Sequence, residues 1–272
     1  MPYCETNNIR LYYEVAGDGP DLLLISGLGG GTWSWFGQTP FFSKSFRVIS
    51  VDNRGVGQSS MPPGPYRMDQ FAVDLLGVLD HLRVSTTYVM GLSMGGMIAQ
   101  ELALVAEDRI RAQVLGCTHC GGKERIAPDP QLLAQFVNNE GLSQEQIIDK
   151  NLPFFFSRRF LAEHPEPVAL YREAQLSAPL QPPHAFLSQV EAIRTFTCCE
   201  RLGRLTIPTL VVTGTADALV PPRNAVILAG LIPDARLMEI PGAGHALHVE
   251  CRDRLNTLAH RFFASIDTGG RT

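Results

Sequence analysis

At 272 residues the chain can hold one large domain with an insertion and needs no second full domain. Hydrophobic residues make up 45% and charged residues 18%, a balance that supports a sizeable buried core and excludes a disordered chain. A net charge of -4, with no run of Lys or Arg, leaves no electrostatic footprint for nucleic acid or an anionic membrane, so small molecules are the expected partners.

Residues 1–10 are polar and lack a basic segment followed by an apolar one, which argues against a signal peptide and leaves the cytoplasm as the default compartment. The apolar stretches fall far short of the roughly 20 residues that a membrane helix requires. Residues 9–15 alternate loosely and run into Ala16-Gly17-Asp18-Gly19-Pro20, as a strand entering a turn does. Residues 22–25 are continuously apolar, the pattern of a strand covered on both faces, and stop at Ser26-Gly27-Leu28-Gly29. A short helix is expected over 33–42 and a strand over 47–51. Phe71, Leu75, Val78 and Leu82 then recur at helical spacing. The alternation continues with strand 87–90, helix 93–106 and strands 110–115, 209–212 and 236–240. Repeated βα units of this kind predict an α/β fold: a mostly parallel central sheet flanked by helices.

Between 121 and 202 the rhythm breaks. Prolines, clustered aromatics and amphipathic stretches replace buried strands, which predicts an inserted helical cap on a core formed by 1–120 and 203–272. Residues 268–272 read as a loose tail.

Gly91-Leu92-Ser93-Met94-Gly95 falls between an apolar strand and a helix, the context that makes G-x-S-x-G a nucleophile elbow. Gly91, Gly95 and Gly96 stand where the tight turn needs steric relief, and the helix start aims N–H groups at charge developing beside Ser93. A serine needs a base, and the base needs a third group to orient it. Asp217 follows strand 209–212 and His245 follows strand 236–240, giving the chain order Ser, Asp, His. His248 is the competing base, at the expected start of the last helix. Asp234 is the competing acid, but it precedes a strand and so belongs to the opposite sheet edge. The Ser26-to-Gly29 turn can aim a backbone N–H at an oxyanion, and Leu28 and Met94 are the expected donor pair. A phosphate loop does not fit, because 27–32 lack G-x-G-x-x-G and a following Lys-Ser/Thr.

The six cysteines include Cys117-Thr118-His119-Cys120, half of a zinc pattern whose other half is missing. No metal and no cofactor is assigned, and reduced, partly buried thiols are expected. Trp33, Trp35 and Phe154 are candidate walls of an apolar substrate pocket. Arg54, Arg158 and Arg159 could meet a substrate carboxylate, although structural or surface roles are the simpler expectation.

Ser26-Gly27-Leu28-Gly29, Val51-Asp52-Asn53-Arg54-Gly55-Val56-Gly57-Gln58-Ser59, the elbow at 91–96, and Gly214 to Asp217 with Gly244-His245 resemble the α/β-hydrolase superfamily over nearly the whole chain. The branch most similar contains 3-oxoadipate enol-lactonases and small carboxylesterases. Ser26 departs from it, standing where many members carry a histidine. The resemblance implies a serine hydrolase that cleaves an ester or lactone through an acyl-enzyme. Carbon–carbon hydrolases and ligand receptors share the scaffold and are the alternatives. Dehalogenases carry aspartate at the elbow, which Ser93 argues against. Homo-oligomerisation is left open.

Overall fold

The computed structural model describes residues 2–268, with side chains to 266; of the expected tail only Thr268 lies within that range. Eight strands form one sheet: β1 Tyr3–Thr6, β2 Ile9–Ala16, β3 Asp21–Ile25, β4 Arg47–Val51, β5 Thr87–Leu92, β6 Ile110–Gly116, β7 Thr209–Gly214 and β8 Ala235–Ile240. Their order is β1-β2-β4-β3-β5-β6-β7-β8. The β1/β2 and β2/β4 pairs are antiparallel, and every other pair is parallel.

Side chains in a strand alternate between faces, so β3 feeds two cores. Leu23 and Ile25 join Val89, Phe71, Leu75 and Ile98 on one side, while Leu22 and Leu24 join Tyr88, Phe42, Leu255 and Phe263 on the other. This double burial is why the central strands read as unbroken apolar runs. The expected helix over 33–42 is instead a 3-10 turn, Thr32–Trp35, and a single helical turn, Thr39–Phe42. β1 precedes the first expected strand; it is short and pairs with β2 at the sheet edge. Among the described residues, no helix is long and apolar enough to cross a membrane.

Between β6 and β7 lie helices Pro130–Val137, Gln144–Phe155, Arg158–Glu163, Pro165–Ser177 and Pro183–Thr195, and no strand among the described residues. The segment leaves and returns through one neck. Gly121 and Thr197 form an antiparallel bridge, Cys198 N–H donates to Cys120 O at 2.9 Å, and Gly122 N–H donates to Phe196 O at 3.2 Å.

The neck corrects the expectation for the cysteines: Cys120 and Cys199 are joined in a disulfide, while Cys4, Cys117, Cys198 and Cys251 are free. Spacing hides this pairing because the partners are 79 residues apart and meet only where the segment's two ends come together. A cross-link closing a loop of that length restricts the unfolded chain by about 4 kcal/mol. Cys199→Ser is therefore expected to lower the melting temperature under oxidising conditions and to make it insensitive to added reductant. Equal melting of wild type with and without reductant would contradict this.

Candidate active site

Parallel strands that end at one edge deliver their following loops to one place, and three such loops carry the candidate chemistry. β5 ends in Leu92, and Ser93 follows with φ 57° and ψ -120°. A non-glycine residue so placed is strained by about 1–3 kcal/mol and persists only where its surroundings enforce it. Here the fit is tight. A Cβ on Gly91 would lie 2.3 Å from Gly95 O, and one on Gly95 would lie 1.9 Å from Ile25 O. Helix Met94–Val105 then packs into the core with Met94 through Leu104 buried, while Ser93 itself is half-buried.

Asp217 follows β7 and is buried. Its Oδ1 accepts the N–H groups of Leu219 and Val220, each at 2.9 Å, and its Oδ2 lies 2.7 Å from His245 Nδ1. The carboxylate is thus fixed by the backbone on one side and faces the imidazole with the other. His245 follows β8, and its ring stacks on Phe155 from helix Gln144–Phe155, with centroids 6.0 Å apart. Ala246 N–H donates to Phe155 O at 2.8 Å. Glu250 joins the same two segments, accepting from Gly244 N–H at 3.1 Å and from the Ser157 hydroxyl at 2.6 Å.

The end of β6 links Ser93 to this pair. Ser93 N–H donates to Gly116 O and Thr118 Oγ1 donates to Ser93 O, both at 2.8 Å. Between them sits buried Cys117, whose Sγ lies with the Asp217 carboxylate and a His245 ring nitrogen inside a 4.8 Å cluster. Burial first, and the Asp217 charge second, push the Cys117 thiol well above its usual range and keep it protonated. A metal needs the thiolate and free lone pairs, whereas Asp217 already spends both oxygens on hydrogen bonds. Cys120, the other half of the zinc-like spacing, is in the disulfide. His119 Nδ1 accepts Gly121 N–H at 3.0 Å, and burial, followed by the Arg125 charge, lowers its pKa to about 3.

The turn after β3 faces Ser93: a Cβ on Gly27 would come 3.2 Å from Ser93 Cβ. Gly27 O accepts from Gly30 N–H at 3.1 Å, and among the described residues no acceptor takes the Leu28 N–H. Met94 opens its helix, where N–H groups have no partner in a preceding turn. Asp52 braces the loop, accepting Thr32 N–H at 2.7 Å and Gln58 N–H at 2.9 Å, and Ser26 Oγ donates to Gly31 O at 2.9 Å.

Of the aromatic candidates, Trp33 is half-buried and its Nε1 donates to Gln175 at 3.4 Å. Trp35 needs correction as a pocket wall: at 1% exposure it packs in the core with Phe42 and Leu247. Phe154 packs edge-on against Phe136, while its neighbour Phe155 meets His245. Consecutive helical residues point about 100° apart, so sequence alone could not say which phenylalanine faces inward. Arg54 is committed to a bidentate pair with Asp74 at 2.5 and 2.8 Å. Competing His248 packs against Trp35, and burial, then His245, lowers its pKa to about 4.

Residues 20–250 match the family model of the α/β hydrolase fold. A protein of Azorhizobium caulinodans bearing the carbamate-hydrolase name RutD is 32% identical, covering 98% of this chain and 100% of its own. The 3-oxoadipate enol-lactonase 2 of Acinetobacter baylyi is 32% identical, over 89% of each chain. The crystal structure of the enol-lactonase from Burkholderia xenovorans superposes with a TM-score of 0.86 at 29% identity, covering 97% of this chain and 100% of that one.

Proposed function

The chain belongs to the α/β-hydrolase fold family and is an enzyme of hydrolase type, and from that premise we propose that it cleaves a small carboxylic ester or lactone with Ser93 as nucleophile. The observation that carries this reading is the 2.7 Å contact between Asp217 and His245 Nδ1, together with a serine held in a strained elbow after β5 and tied to the end of β6.

The substrate lies beneath the helices inserted between β6 and β7, which serve as its cap. With Nδ1 bound to Asp217, His245 keeps its proton on that nitrogen and offers Nε2 as the base. Ser93 Oγ attacks the carbonyl carbon as its proton passes to Nε2. The N–H groups of Leu28 and Met94 meet the oxyanion. His245 then protonates the leaving oxygen, leaving an acyl-Ser93, next draws a proton from the water that attacks the acyl carbon, and returns that proton to Ser93 Oγ as the C–O bond to serine breaks and the acid leaves. Asp217 stabilises the imidazolium in both halves. No step calls for an added cofactor.

The full-length relative named for carbamate hydrolysis supports a second reading, in which the same acyl transfer acts on a carbamate. Initial rates on an enol-lactone, a p-nitrophenyl ester, an aryl carbamate and a vinylogous diketone rank the readings. The ester or lactone is expected to be turned over at least tenfold faster than the carbamate. A preference for the carbamate would move the assignment, and turnover of the diketone alone would replace it with carbon–carbon hydrolysis.

A further inference from the structure

The turn carrying Leu28 is held from above by the inserted segment. Gln189, in helix Pro183–Thr195, is fully buried. Its Oε1 accepts Gly29 N–H at 3.1 Å and Gln181 Nε2 at 3.1 Å, while its own Nε2 donates to Arg54 O at 2.9 Å. Gln181 Nε2 also donates to Gly55 O at 2.8 Å. Arg54 is itself immobilised by its bidentate pair with buried Asp74. A fixed point on one loop thus orients the Gln189 amide, and that amide orients the Gly29 N–H of another.

Gly29 N–H belongs to the Leu28–Gly29 peptide plane. The adjoining Gly27–Leu28 plane, whose N–H is the oxyanion donor, is hinged to it only through φ and ψ of Leu28; Gln189 holds the plane on one side of that hinge, and the Gly30 N–H bond to Gly27 O holds the plane on the other. With the turn closed in this way Gly29 takes a left-handed φ of 69°, and the angle between the two planes depends on both bonds being kept. We propose that Gln189 is a positioning residue for the oxyanion hole, so that the inserted segment, and not the sheet alone, aims the Leu28 N–H. This rests on the serine-hydrolase reading above. The plainer role for Gln189 is to satisfy two buried backbone groups, which would affect stability and leave the transition state alone.

The experiment compares the full-length protein with Gln189→Met, which keeps the length but neither donates nor accepts, and Gln189→Glu, which keeps an acceptor for Gly29 N–H. Each is assayed for kcat and KM on p-nitrophenyl butyrate, and for inhibition by an alkyl trifluoromethyl ketone, whose serine adduct carries an oxyanion. Rates are normalised to the fraction of Ser93 labelled by a fluorophosphonate. Loss of a whole oxyanion donor costs about 100-fold or more, so a misaimed one is expected to lower kcat for Gln189→Met by about 10- to 100-fold. The inhibitor should weaken by the same factor, KM should change less than about threefold, and Gln189→Glu should regain part of both losses. Unchanged kcat and ketone affinity in Gln189→Met would overturn the inference, as would a lower melting temperature with normal kcat per labelled site. If Gln189→Met does not fold, Gln189→Asn, whose amide is one methylene too short to reach Gly29 N–H, decides in its place: a parallel fall in kcat and ketone affinity at unchanged KM supports the role, and wild-type values of both overturn it. A wild-type protein that neither reacts with the ketone nor labels at Ser93 would instead sink the serine-hydrolase reading itself.

Discussion

Replacing Ser93 with alanine is expected to lower kcat by about a million-fold, the loss typical when the nucleophile of a linked triad is removed. The hydroxyl is the only group taken away, so the acyl-enzyme route closes while the surrounding side chains stay in place. Alanine keeps the same Cβ at φ 57° and the same N–H bond to Gly116 O, so the elbow's strain and the folded structure should be unchanged. The check is turnover of p-nitrophenyl butyrate together with the melting temperature and the mass shift on fluorophosphonate labelling. Turnover and labelling should vanish together at a constant melting temperature. Retention of more than about 1% of kcat would show that another group attacks, since removing a triad nucleophile leaves only a far smaller residue.

Asp217→Asn is expected to lower kcat/KM by about 10⁴-fold, through the imidazole tautomer. Oδ1 of Asp217 is bound by two backbone N–H groups, from Leu219 and Val220, and only an oxygen can accept them. An asparagine must therefore turn its amide oxygen to Leu219 and Val220 and its NH₂ toward His245. An NH₂ facing Nδ1 can only donate, so the ring proton moves to Nε2 and the base is blocked on the side that Ser93 needs. The variant should fold, since shape and backbone bonds are kept, and its residual rate should rise with pH as hydroxide takes over. Stopped-time assays from pH 7 to 10 with a melting curve test this. A loss of less than tenfold would mean that some group other than Asp217 orients His245.

The candidate site was legible to the extent that each of its residues follows a strand. Ser93, Asp217 and His245 sit just beyond β5, β7 and β8, and parallel strands must end on one side. Asp234 precedes β8, where its O accepts Thr209 N–H at 2.9 Å, at the edge remote from those loops. The aromatic wall was not legible. Trp35 entered the core because the 3-10 turn Thr32–Trp35 rolls it under the sheet, and Phe155 rather than Phe154 met His245 because of the rotation of its helix. Cys117 opens a zinc-like spacing that it does not use; its contact with the Asp217–His245 pair comes from its position at the end of β6. Gln189 offered no signal, since a lone glutamine in an amphipathic helix reads as a surface residue.

What the sequence by itself determined is what depends on near neighbours. The burial of both sheet faces appears as continuous apolar runs, the elbow appears as closely spaced glycines around Ser93, and the chain order of Ser93, Asp217 and His245, each after a strand, can be read directly. Tertiary structure alone decided which cysteines meet across 79 residues, which phenylalanine stacks on His245, and that Gln189 reaches Gly29 across 160 residues. These contacts depend on the path by which the inserted segment leaves β6 and returns to β7. No local periodicity encodes that path, because it is set by how the inserted helices pack against the loops at the sheet edge.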